Sequence, residues 1–175
     1  MSFEEFLADI QSPELRTIAL HWNAARGSKK MPGWKDLDPS AIAPHLRIVW
    51  SWKYDRSTDS FVGRLAGEDI IAVFEEDPRG KRMEDFFRNR QYDMVFARHK
   101  RVVAEPAFAH GVGQVFIHAK RYGQGERIIM PLAADGVHGD GIFGATIYTI
   151  AANAPYNPAA KRELVAEKVD FFALD

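Results

Sequence analysis

The sequence predicts an α+β fold: a five-stranded antiparallel sheet with helices inserted after the second strand and laid over one face. Three observations predict it. Phe61-Val62-Gly63-Arg64-Leu65-Ala66 is apolar enough for a strand, Gly67 can take the positive φ that ends it, and Glu68-Asp69 open the apolar helical run Ile70-Ile71-Ala72-Val73-Phe74. Polar turns at Asp55 to Asp59, Tyr122 to Gly125 and Asp135-Gly136 join neighbouring apolar runs as hairpins. A chain of 175 residues, 46% of them hydrophobic, can bury one ordinary core, so residues 1–175 read as one domain with its core at about 15–151.

The elements follow in order. Ser2 with Glu5 reads as a capping box, and Ser12-Pro13-Glu14 starts a second helix, so helices cover residues 3–26. Leu15, Ile18, Ala19, Trp22 and Ala25 form a stripe that packs on the chain's own sheet or on a second copy, and Gly27 ends the helix. Ser28 to Asp38 is a loop; Asp38-Pro39 cap a short helix through Ala43, closed by Pro44. Leu46 to Tyr54 is a buried strand, paired with the Phe61 strand. Asp77-Pro78-Arg79-Gly80 interrupts the helices, which resume from Met83 to Phe87 and from Asn89 to Glu105, the longest. Tyr92, Val95, Phe96, His99, Val102 and Val103 share one stripe of that long helix. Strands then run from Ala107 to Arg121, bulged at Gly111 or Gly113, from Glu126 to Ala133, where Pro131 marks a bulge or strand end, and from Gly141 to Ile150. A last helix spans 158–172 with Leu164, Val165, Val169 and Phe172 on one side.

Composition narrows the function. Twenty-three basic and twenty-four acidic residues leave a net charge of -1, too little for a general nucleic-acid-binding field. The absence of cysteine removes disulfides, thiolate metal sites and cysteine nucleophiles. Met1-Ser2-Phe3-Glu4-Glu5 is acidic where a signal peptide is basic, and no apolar run approaches the roughly 18 to 20 residues that span a bilayer, so the expected location is the cytoplasm, away from membranes.

Few motifs carry chemistry. Gly139-Asp140-Gly141-Ile142-Phe143-Gly144 matches G-x-G-x-x-G, yet the β-branched and aromatic Ala145 to Ile150 that follows is a strand where a dinucleotide site needs a helix. The six histidines are not paired at helical ligand spacing, which leaves no metal site. Arg64 sits among apolar residues and needs partners for its donors: Glu68 or Asp69 as an internal pair, or a ligand carboxylate or phosphate. From Arg79 to Arg101 eight basic residues face three acidic ones, a solvated helix face or a dock for an anionic partner such as nucleic acid. No nucleophile elbow, phosphate loop or spaced carboxylate pair marks an enzyme.

Arg64-Leu65-Ala66-Gly67, the run Arg127 to Gly136, and Trp22 with Arg26-Gly27 and Asp36-Leu37-Asp38-Pro39 resemble a family of short PAS-domain proteins, chiefly alphaproteobacterial, from about Leu15 to Ile150. That family carries Arg-Leu-x-Gly-Thr after its second strand; here Glu68 stands at the Thr position. The resemblance implies strand order 2-1-5-4-3 and a sensory or regulatory module, without an output domain of its own, that binds a small molecule or a signalling protein, with homodimers expected. Arg64, Glu68, Phe74, Tyr92, Phe96, His99, Ile129 and Tyr148 are the residues placed at its ligand site. Without cysteine neither a flavin-cysteinyl adduct nor a thioester-linked chromophore can form. Some haem-binding PAS sensors ligate iron through a histidine on the long helix, where His99 falls; the reading favoured for His99 is a core histidine bonded to backbone, without haem. An enzyme using the same pocket is the alternative from another class.

Overall fold

Alternation along the strands decides which helices cover which face. The computed structural model describes residues 3–88, 91–118, 121–150 and 167–174. Strands β1 (Val49–Asp55), β2 (Ser60–Ala66), β3 (Ala107–His118), β4 (Arg121–Leu132), β5 (Gly141–Ile150) and β6 (Lys168–Ala173) form one antiparallel sheet in the order β2-β1-β5-β4-β3-β6. The expected order 2-1-5-4-3 is present, extended by a sixth strand.

Trp50, Trp52, Ala109, Ile129 and Ile142 point to one face, beneath α3 (Glu68–Phe74), α4 (Met83–Phe86) and α5 (Tyr92–Ala104). Val49, Phe108, Ile128, Met130 and Phe143 point to the other, beneath α1 (Phe3–Asp9) and α2 (Pro13–Arg26). Leu15, Ile18, Ala19 and Trp22 are fully buried against the chain's own sheet, so this stripe is not left for a second copy. Trp22 packs edge-on against Phe108, and its Nε1 donates to the Pro131 carbonyl at 2.8 Å. Ser12 caps α2 by accepting from the Leu15 amide, and Gly27 ends it at φ +54°.

Several local expectations are corrected. The helix expected over 158–172 is replaced, over Lys168–Ala173, by β6, which pairs with β3 from Ala107↔Ala173 to Val112↔Lys168; residues 158–166 lie outside the described residues, as does Ser2. Val169 and Phe171 face one side and Phe172 the other, and the free amides and carbonyls of β3 supply the pairing that makes this run a strand. Gly123 and Gly125, expected in a turn, are inside β4 opposite Phe116 and Gly113, and the ladder irregularity falls between Gln114 and Phe116, beyond the glycines expected to bulge. Leu46 to Ile48 belong to a 3₁₀ segment, Pro39–Ile48, that runs past Pro44 with a kink at Ile42. At 14 residues α2, not the 13-residue α5, is the longest helix among the described residues.

Gly67 is extended (φ -74°), so it is not there for a left-handed turn; a Cβ would collide with the carbonyl oxygens of Leu46 and Arg47. At Gly63 a Cβ would strike the Pro78 carbonyl, because the strap at Arg79 and Arg82 bridges to Gly63 and Val62 along the outer edge of β2. Pro131 lies at the end of β4, opposite Ile142 of β5 and past the last β3 pair, Ala109↔Ile129, where its missing N–H costs no bond.

Candidate functional site

The apolar stripe of α5 carries Val95, Arg98, His99 and Val102 onto the sheet, all buried. His99 donates from Nδ1 to the Val95 carbonyl at 2.7 Å, which fixes the tautomer and leaves Nε2 as an acceptor. Its ring lies against Trp50 and Phe61, and burial pulls its pKa down to about 3. The imidazole is therefore neutral at physiological pH and a poor base, suited to hydrogen bonding rather than proton abstraction.

Alternation in β5 sends Thr146 and Tyr148 to the same face. Thr146 accepts from Trp50 Nε1 at 2.9 Å and bonds the Tyr148 phenol, whose pKa burial pushes up to about 12. In β4, Arg127 and Ile129 face the same way. Trp52, Phe74, His99, Arg127, Thr146 and Tyr148 are among the residues that line a cavity of about 30 Å³. That is room for about one water molecule, far below the roughly 300 Å³ where ligand pockets begin, and a porphyrin does not fit beside His99 as packed.

Behind the cavity lies a buried ionic trio. Arg98 Nη1 sits 3.0 Å from Glu167 Oε2, and Arg127 Nε sits 3.4 Å from Glu167 Oε1. Burial, and then the neighbouring Arg127, pull the Arg98 pKa down, while Glu167 opposes them.

The eight residues placed at the site from sequence are thus divided. Phe74, His99 and Tyr148 meet at the cavity, and Ile129 is buried in the same core. Phe96 packs on Phe61, and Tyr92 lies tilted against Phe96 and opens to the surface beside Glu84 and Met94. Glu68 lines a separate groove of about 870 Å³ between α3 and the Pro39–Ile48 segment, together with Trp34, Leu37, Leu46 and Arg79. Arg64 faces away from the cavity, its guanidinium over Trp34 at 4.7 Å. It pairs with neither Glu68 nor Asp69, since Asp69 is held by Arg47 at 2.8 Å, and its Nη1 has no hydrogen-bond partner among the described residues. A register shift after Ser51 turns Arg64 and Leu65 to the face of α1 and α2.

Arg127, Thr146, Arg98 and Glu167 were not in that set. Arg98 was legible, because it falls three residues after Val95 and four before Val102, on the apolar stripe. Arg127 alternates with core Ile129. Glu167 leaves no such trace, since only β6 pairing brings it in.

In the basic run, Arg79, Lys81, Arg82, Arg88, Arg98 and Lys100 have acidic partners, and Arg101 lies over the Phe171 ring at 3.9 Å. Lys100 also donates to the Tyr54 hydroxyl at 2.6 Å, tying α5 to β1. Among the described residues no three His, Asp or Glu side chains converge to hold a metal, and none of the helices is long and apolar enough to cross a membrane. Gly141 and Gly144 of the G-x-G-x-x-G pattern lie in β5, so a strand follows as expected.

Residues 10–147 match the PAS domain family. The chain belongs to that family. Its α+β architecture and strand order are those of a PAS domain, which points to a sensory or regulatory module. No curated protein and no solved structure matches the chain.

Proposed function

We propose that this PAS domain is a regulatory module that recognises a small polar molecule between the sheet and α3–α5 and passes its occupancy to a signalling partner. One observation carries this reading: Arg127, Thr146, Tyr148 and the free Nε2 of His99 converge on a void inside an otherwise aromatic core. Polar groups are costly to bury, and a core built for stability alone has no use for four around one void. The charge pairing along Arg79 to Arg101 argues against docking of nucleic acid, and the weak basicity of His99 argues against an enzyme at this position.

The size of the groove beside Glu68 favours a second reading, in which the molecule binds there without any repacking. Mass spectrometry of the supernatant from freshly purified, denatured protein identifies any copurified small molecule. Added back, that molecule is expected to raise the melting temperature of wild type and of Ala43→Trp, which fills the groove, and to do little for Phe74→Trp, which fills the cavity. The reverse pattern places binding in the groove; no stabilisation of any variant refutes both.

A further inference from the structure

The Arg98–Glu167–Arg127 trio is assembled from three separate parts of the chain: α5, the residue before β6, and β4. One guanidinium addresses each carboxylate oxygen, at 3.0 and 3.4 Å, and the three side chains are only 9%, 14% and 8% exposed for Arg98, Arg127 and Glu167. The carboxylate lies on bare backbone, because a Cβ on Gly111 would collide with Glu167 Oε1. Gly111 pairs with Arg127 on one side and with Val169 of β6 on the other, so the slot is built into the ladder itself. A planar group with two oxygens fits this arrangement better than a tetrahedral anion does. Arg98 and Arg127 repel each other, and an anion between them is what allows both to stay charged and buried. Arg127 also lines the void next to Tyr148, so the slot and the cavity share a wall.

We propose that this slot is a carboxylate-recognition site occupied by the chain's own Glu167, and that the incoming ligand is a small organic carboxylate that displaces Glu167 and loosens β6. The inference rests on the small-molecule reading above and supplies its chemistry. Displacement rather than addition follows from the room available, about 30 Å³, which admits no second carboxylate until the first has left. Phe74, half-buried on α3, offers the apolar wall that a ring or short chain on the ligand would meet. Because Glu167 immediately precedes β6, its departure removes the anchor of a strand bound to the sheet along one side only.

The test uses sodium benzoate and sodium acetate, with sodium chloride, benzamide and inorganic phosphate as controls, on wild type, Glu167→Gln, Glu167→Ala and Arg98→Met. Removing the internal competitor should lower the benzoate concentration for half-maximal thermal stabilisation at least tenfold in Glu167→Ala, with a smaller gain in Glu167→Gln. Arg98→Met should abolish the response. In wild type, saturating benzoate should speed amide exchange across Lys168–Ala173 while α2 is unchanged. Equal half-points in wild type and both Glu167 variants, a response matched by benzamide or phosphate, or unchanged exchange in β6 would each overturn the proposal. If the Glu167 variants do not fold, the exchange experiment on wild type decides alone. A copurified neutral molecule that binds the cavity and ignores Glu167 would overturn the carboxylate and leave the sensory reading standing.

Discussion

The two faces of the sheet are closed by helices of comparable size but by different means. Under α1 and α2 the contact is aromatic and dry: Phe6 stacks on Phe108 at 4.7 Å, Trp22 meets Phe108 at 4.9 Å, and Phe3 lies against both. There Glu126 is fully engaged, accepting from the amides of Gln11 and Ser12 at 2.7 and 2.8 Å and contacting His110 at 2.7 Å. Under α3–α5 there are also many rings, yet they surround a void, a neutral histidine and an ionic trio. The first arrangement holds the helices in place. The second gathers its polar and charged groups around a void, and the proposed ligand response depends on them.

The contrast can be broken first at Trp22. Trp22→Ala removes a fully buried ring and its bond to Pro131, and should cost about 3 to 5 kcal/mol in urea unfolding. A loss below about 1 kcal/mol would show that the α2 face is not the stable one. Glu126→Ala comes next. It strands two backbone donors and should cost roughly 3 kcal/mol, whereas Glu126→Gln should recover part of that.

Acid should separate the faces. The folded pKa of His99 lies near 3, below its unfolded value of about 6.5, so below pH 6.5 the unfolded chain takes up a proton that the folded one refuses. The stability linked to His99 is present above pH 6.5 and falls by about 1.4 kcal/mol per pH unit on acidification towards pH 3. His99→Gln should flatten the slope over pH 6 to 5, and amide exchange should show α5 loosening before α2. Equal slopes would mean that the carboxylates dominate instead. The smallest effect is expected from Tyr148→Phe. Losing the bond to Thr146 should cost about 1 kcal/mol or less and leave the fold intact, while weakening any ligand response.

How much of this was legible depends on how local each signal is. The individual strands, the helices inserted after β2 and the buried stripe of α2 follow from periods of two and 3.6 within single segments, whereas the five-strand order is what the resemblance to the PAS family implies. Residues 168–172 read as helix from sequence because Val165, Val169 and Phe172 satisfy helical spacing, while Val169 and Phe171 equally satisfy strand alternation; the free edge of β3 decides between them. The apolar neighbours of Arg64 point it to the site, but a register shift after Ser51 rotates it to the other face, where Trp34 receives it. Such a shift has no signature in alternating residues. His99 and Tyr148 were found because an ordinary stripe and an ordinary strand carry them in, whereas Glu167 depends on a pairing between segments distant in sequence.

The strap from Pro78 to Arg82 has a consequence for solubility. By bridging to Val62 and Gly63 it occupies the outer rim of β2. A sheet can lengthen only where backbone amides and carbonyls are free, so growth by stacking of further chains is blocked at that rim and is left to β6, a strand of six residues that carries the paired charges Lys168 and Asp170. Gly63 is the residue that lets the strap lie so close. A side chain at that position would lift it and uncover the rim, so Gly63→Val should precipitate on concentration more readily than the wild type, with light scattering rising before any loss of helix is seen by circular dichroism.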